Sequence, residues 1–122
     1  MIRAVLLVDH GSRRDAANQQ LEELAEALRA RLPDRVVRIA HLELAPPSIA
    51  EGIEACVAAG ATRIVVHPYF LAPGAHTVRD LPRQVSEAAA RHPAVEVRVS
   101  EPVGLHPKLV DVILERLDAA ED

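Results

Sequence analysis

Three short clusters in this chain hold residue types that could do chemistry. The first is Val8-Asp9-His10-Gly11-Ser12, the second centres on Glu43, and the third is Pro73-Gly74-Ala75-His76-Thr77. Imidazole titrates at about 6.5 when unperturbed, so a histidine can take up a proton or ligate a divalent ion near neutral pH. Two histidines and a carboxylate on separate loops suit a divalent transition metal held with one position open. His10 and His76 are therefore the favoured histidines, and Glu43 is one of several carboxylates, with Asp9, Asp80 and Glu101, that such loops carry. They can work together only if the fold brings the three loops to one edge.

The surrounding pattern supplies such an edge. Residues 2–8 form an apolar run too short to span a membrane and typical of a strand buried on both faces. Residues 15–32 then carry Leu21, Leu24, Ala25, Leu28 and Leu32 at helical spacing, ended by Pro33. A second strand is expected over 36–42, followed by a helix on Ile49, Ile53, Cys56 and Val57, with Gly60 at its C-terminal end. A third strand is expected over 64–71. A loop over 72–77 follows, and then a helix beginning near Leu81, because Pro82 fits only a first helical turn. Residues 95–99 alternate like an edge strand, and Pro107 opens a last helix with Leu109, Val110, Ile113, Leu114 and Leu117 on one stripe.

Four strand–helix units imply a parallel sheet joined by right-handed crossovers: an α/β, doubly wound, flavodoxin-like, four-stranded domain spanning 1–122. In such a sheet every strand-to-helix loop lies along the carboxyl edge, where open α/β folds bind ligands. The polar residues of those loops are Asp9, His10, Ser12 and Arg13; Glu43 and Ser48; His76, Thr77, Arg79 and Asp80; and Glu101 and His106. His41 and His67 lie inside strand runs and read as structural. His92 reads as a helix-dipole partner, and His106 as part of a helix cap.

Composition narrows the function classes. The aromatic share is 2% and the net charge is −4, with no basic tract, so neither base stacking nor a DNA-binding face is expected. The one cysteine, Cys56, fits a reducing cytoplasm. No apolar run reaches ~18 residues and no cleavable leader is legible, so neither membrane insertion nor export is expected.

Taken in order, the motifs resemble the class II chelatases, and more closely the small sirohydrochlorin chelatases. The resemblance rests on Val8-Asp9-His10-Gly11-Ser12 with Arg13, and on Leu42-Glu43-Leu44 with Pro47-Ser48-Ile49. It continues through Val66-His67-Pro68-Tyr69-Phe70-Leu71 with Gly74-Ala75-His76, and Pro102-Val103-Gly104 with His106-Pro107. It implies ATP-independent insertion of Co²⁺, Fe²⁺ or Ni²⁺ into sirohydrochlorin, cobalt favoured, within cobalamin or siroheme biosynthesis. The metal is a substrate, and no permanently bound cofactor is implied. His10 and His76 then bind metal and accept pyrrole protons, with Glu43 as their acidic partner. Ser12, Arg13, Gly74, Ala75 and Arg79 fall where the polycarboxylate macrocycle would be held.

Many relatives of this kind are about twice as long, with two halves around one cleft. The expectation here is a homodimer with the cleft between subunits. Two other readings remain: a metal- or tetrapyrrole-carrying module of the same fold, and a phosphohistidine-type phosphatase. The second is disfavoured because Asp9 stands where such enzymes place an arginine.

Overall fold

The computed structural model describes residues 1–121. The chain alternates β1 (Ile2–Asp9), α1 (Asp15–Arg31), β2 (Arg35–His41), α2 (Ile49–Ala58), β3 (Ala61–Pro68), α3 (Ala75–Ala89), β4 (Glu96–Val99) and α4 (Pro107–Glu121). All neighbouring strands are parallel, in the order β2-β1-β3-β4. The doubly wound α/β sheet expected from the alternation is the fold observed. Right-handed crossovers account for the helix placement. The chain leaves β1 in one direction to reach β2 and returns across it to β3, which puts α1 on one face and α2 with α3 on the other.

The two faces hold separate cores. Ala4, Leu6 and Val8 of β1 pack with Ile49, Ile53 and Cys56 of α2 and Leu81, Val85 and Ala88 of α3. Val5 and Leu7 point the opposite way and meet Leu21 and Ala25 of α1 with Val37 of β2. β1 is buried on both sides, which is why it reads as an unbroken apolar run. No helix among the described residues is long and apolar enough to cross a membrane.

Three expectations need correction. β3 starts and ends three residues earlier than the apolar run suggests. Its polar start, Thr62 and Arg63, is exposed, yet Ala61 and Arg63 pair with β1 on either side of an irregularity in register, and Pro68 is the last paired residue. α3 begins at Ala75, not near Leu81, so His76 and Thr77 are helical and Pro82 lies inside the helix. Thr77, Leu81, Val85 and Ala88 form a buried stripe, and that packing outweighs the proline's local preference. Finally, α4 forms as expected, but its apolar stripe is not buried against this chain.

Candidate functional site

The site begins where β1 runs out. Asp9 closes the strand, and its Oδ1 lies 2.5 Å from Nδ1 of His41, which is 2% exposed. His41 is thus structural, as its place in a strand run suggests: its ring fastens the end of β2 to the end of β1. The parallel ladder continues past the strands, with the Leu42 N–H donating to the Asp9 carbonyl (2.9 Å) and the Glu43 N–H to the His10 carbonyl (3.1 Å). Backbone pairing alone therefore sets His10 beside Glu43.

Their side chains meet. His10 Nε2 is 3.1 Å from Glu43 Oε1, with the two side chains 49% and 44% exposed. The edge of the Phe70 ring, just beyond β3, faces His10 at a centroid distance of 6.4 Å and an interplanar angle of 79°. The result is an imidazole–carboxylate pair open to solvent at the carboxyl edge, with an apolar ring on one flank. Such a pair can take a cation through nitrogen and oxygen, or carry a proton.

Gly11 makes the turn away from this pair, with φ of +94°. Asn18, in α1, then locks the loop. Its Oδ1 accepts from the Ser12 N–H (3.0 Å) and its Nδ2 donates to the Ser12 carbonyl (2.7 Å). The Ser12 hydroxyl accepts from the Arg14 N–H at 3.0 Å, so it is engaged locally. Arg13 and Arg79 are both exposed, and neither forms an ion pair among the described residues. They are available to an anionic ligand.

After β2, Leu44 takes a left-handed backbone, φ 71°, and the Ala45 N–H reaches back to the Glu43 carbonyl at 2.9 Å. That strained turn aims Glu43 toward His10. Ser48 opens α2 through a reciprocal cap with Glu51, so it serves the helix and not the site. The caps and the backbone donors at this helix start lower the Glu51 carboxyl below its ordinary value.

His76 stands in the first turn of α3, behind Gly74 at the helix N-cap and Ala75 at its first position. Its Nε2 lies 2.9 Å from Asp80 Oδ2, one turn on, and Arg83 Nη2 lies 3.7 Å from the other Asp80 oxygen. His10 and Glu43 are brought together; His76 is on the same edge of the sheet but pairs with Asp80. Among the described residues no three histidine, cysteine or acidic side chains cluster as a ready metal site. Cys56 offers no ligand at this edge, because it is buried in the core and burial pushes its thiol up to about 11.

Asn18 and Asp80 are the contributors that sequence reasoning did not single out for a role. Asn18 carries no legible signal. Asp80 does, since a spacing of four from His76 places the two on one helical face once α3 is started at Ala75.

A half-exposed histidine–carboxylate pair thus lies on the carboxyl edge of a small parallel α/β sheet, with a second histidine in the first turn of α3. Residues 4–120 match the CbiX family model, and the chain belongs to that family. It is 39% identical over 113 residues to the chloroplastic sirohydrochlorin ferrochelatase of Arabidopsis thaliana, covering 93% of this chain and 50% of the relative. It is 31% identical to the sirohydrochlorin cobaltochelatase of Methanocaldococcus jannaschii, covering 94% of this chain and 97% of that one. The crystal structure of the sirohydrochlorin chelatase SirB from Bacillus subtilis subspecies spizizenii, in complex with cobalt, superposes with a TM-score of 0.89 at 36% identity. It covers 98% of this chain and 51% of SirB. The chain thus spans about half the length of the plant and Bacillus relatives and nearly all of the archaeal one.

Proposed function

We propose that this chain inserts a divalent metal into sirohydrochlorin without ATP, Co²⁺ first and Fe²⁺ second, in cobalamin or siroheme biosynthesis in the cytoplasm. One observation carries the reading: the 3.1 Å pairing of His10 with Glu43 at the carboxyl edge, in a chain of the CbiX family. The names of the plant and archaeal relatives support the substrate.

The residue types suit the reaction. Two pyrrole N–H protons leave as one dication enters, so the overall charge change is nil, but each proton needs an acceptor near the ring. His10 and Glu43 receive the metal, a neutral nitrogen and an anionic oxygen that together offset part of its charge. As the ion passes to the pyrrole nitrogens, the His10 imidazole is freed to accept one proton and His76 accepts the other. Asp80 stabilises the imidazolium formed on His76. Ser12, Arg13, Gly74, Ala75 and Arg79 line the approach, with the two arginines meeting substrate carboxylates.

Residues 1–122 act as one chelatase domain, and two copies enclose the cleft as a homodimer. That arrangement supplies each imidazole twice, which answers the lack of a three-ligand cluster among the described residues of one copy. No resident cofactor takes part.

The test is to mix purified protein with Co²⁺ and sirohydrochlorin and follow the absorbance of the metallated product. Insertion faster than in buffer is expected, with His10→Ala and His76→Ala each losing about 10²–10⁴-fold. Binding of the macrocycle with no acceleration would make the chain a carrier and overturn the enzymatic reading.

A further inference from the structure

Positive charge gathers at the opposite end of the sheet from His10. Alternation along β1 puts Arg3 on the same face as Val5 and Leu7, which α1 covers in part and where an open apolar groove of about 570 Å³ runs beside that helix. Register carries a row of arginines across this face. Arg3 is aligned with Arg35 of β2 on one side and Arg63 of β3 on the other, Arg63 is aligned with Glu96 of β4, and Val65 with Arg98. The four arginines and Glu96 line a cleft of about 320 Å³ at the amino edge, built from the strands alone. They are scattered through the sequence, and only the register collects them.

One carboxylate serves four guanidinium groups. Glu96 takes Arg63 Nε at 2.8 Å on one oxygen and Arg98 Nη2 at 2.8 Å on the other. The Arg98 hydrogen bond, with the Arg63 charge behind it, holds the Glu96 carboxyl below the usual carboxylate range, so both oxygens stay engaged. Arg3 and Arg35 form no ion pair among the described residues. Neighbouring strands lie about 4.8 Å apart, and like charges side by side across them are destabilising. Long side chains can splay, but Arg3 stands between two other arginines and has no free side along the row. In a chain of net charge −4 this is a local excess of positive charge that an anion would relieve.

We propose that the amino-edge row is a binding site for a small multivalent oxyanion, phosphate- or carboxylate-bearing, gripped by Arg3 and Arg35 with Arg63 and Arg98 at its far side. Guanidinium groups meet such oxygens two at a time, which suits a ligand with several of them. The row spans three strand spacings, about 14 Å, enough for two or three anionic groups and too short for the many phosphate contacts of a nucleic-acid duplex. The eight residues of β1 separate it from His10 by about 26 Å, so it is distinct from the edge that holds Arg13 and Arg79 and does not depend on the metal chemistry.

The test titrates the full chain with pyrophosphate and with citrate by calorimetry, the ionic strength held constant with sodium chloride. Saturable binding of one anion per chain is expected, and the tighter of the two probes tells whether the ligand bears phosphate or carboxylate. Arg3→Gln with Arg35→Gln should weaken it about tenfold or more, while Arg13→Gln with Arg79→Gln leaves it unchanged. Urea unfolding gives a second readout. In chloride alone the Arg3→Gln, Arg35→Gln variant should be at least as stable as the unaltered chain, because two unpaired like charges are gone, and the probe should raise the midpoint of the unaltered chain only. No saturable binding of either probe, or equal binding by the Arg3→Gln, Arg35→Gln variant, would overturn the site. A loss confined to the Arg13→Gln, Arg79→Gln variant would place the anion at the carboxyl edge and overturn it too. So would a lower stability of the Arg3→Gln, Arg35→Gln variant in chloride, or a changed mass by light scattering, since either would mean that the row already has partners.

Discussion

A Cβ built on Gly11 would stand 1.9 Å from the carbonyl oxygen of Glu43 and 3.1 Å from the Cβ of His41. The turn that carries the chain away from His10 thus touches the backbone of the residue paired with His10. Any side chain at position 11 has to push Glu43 outward and must also adopt a φ of +94°. Gly11→Ala should cost about 1–3 kcal/mol from the backbone conformation alone, read by urea denaturation. The larger effect falls on the site. If metal insertion is the reaction, it should drop far more steeply than stability, because the 3.1 Å pairing depends on that contact. An alanine variant with near-normal turnover would show that the His10–Glu43 geometry is not needed.

Asp80 gives a graded counterpart to the loss of His76. The carboxylate sits one helical turn from the imidazole, 2.9 Å from its Nε2, and orients the ring. Asp80→Asn keeps the shape and one hydrogen bond but removes the charge, so a loss of about 10–100-fold in turnover is expected, smaller than for His76→Ala. Circular dichroism should be unchanged for both, since the His76 side chain is exposed. Equal losses for the two variants would mean that the charge of Asp80, and not merely its position, is indispensable.

The fold was legible because each strand is an apolar run or alternation and each helix a stripe, and a parallel sheet follows from their order alone. His10 and Glu43 were legible for the same reason, since strand ends in such a sheet share an edge. Asn18 was not. Its grip on Ser12 spans six residues across a turn whose shape no periodicity encodes. The Asp9–His41 contact joins positions 32 residues apart, and only the register of β1 against β2 sets it. The fate of α4 was hidden for a different reason. A stripe signals that a helix has an apolar face, but not which surface will cover it.

Pro82 is where a local rule lost to packing. It is the eighth residue of α3, where proline removes the hydrogen bond to the Val78 carbonyl and costs up to about 3 kcal/mol relative to alanine in a regular helix. The buried stripe from Thr77 to Ala88 keeps the helix whole across it. Pro82 itself is exposed, so replacing it forfeits little packing. Pro82→Ala should therefore raise stability by about 1–2 kcal/mol, seen as a higher urea midpoint at unchanged slope. A drop in stability would show that the ring packs usefully beside Phe70 and Pro73 in the small pocket at this edge.

His67 contributes to the acid limb of stability. It faces the groove floor with Ser100 Oγ 2.8 Å from its Nδ1, and burial pushes its imidazole below the ordinary value. The folded chain therefore takes up this proton at lower pH than the unfolded chain does. Where the unfolded state binds more protons, stability rises with pH, so this contribution is complete above about pH 6.5 and is lost as the pH falls below it. His67→Gln should flatten the fall in urea midpoint between neutral and mildly acidic buffer, and the other histidines contribute alike to both proteins. An unchanged fall for His67→Gln would mean that the partly buried imidazole does not govern this part of the pH dependence.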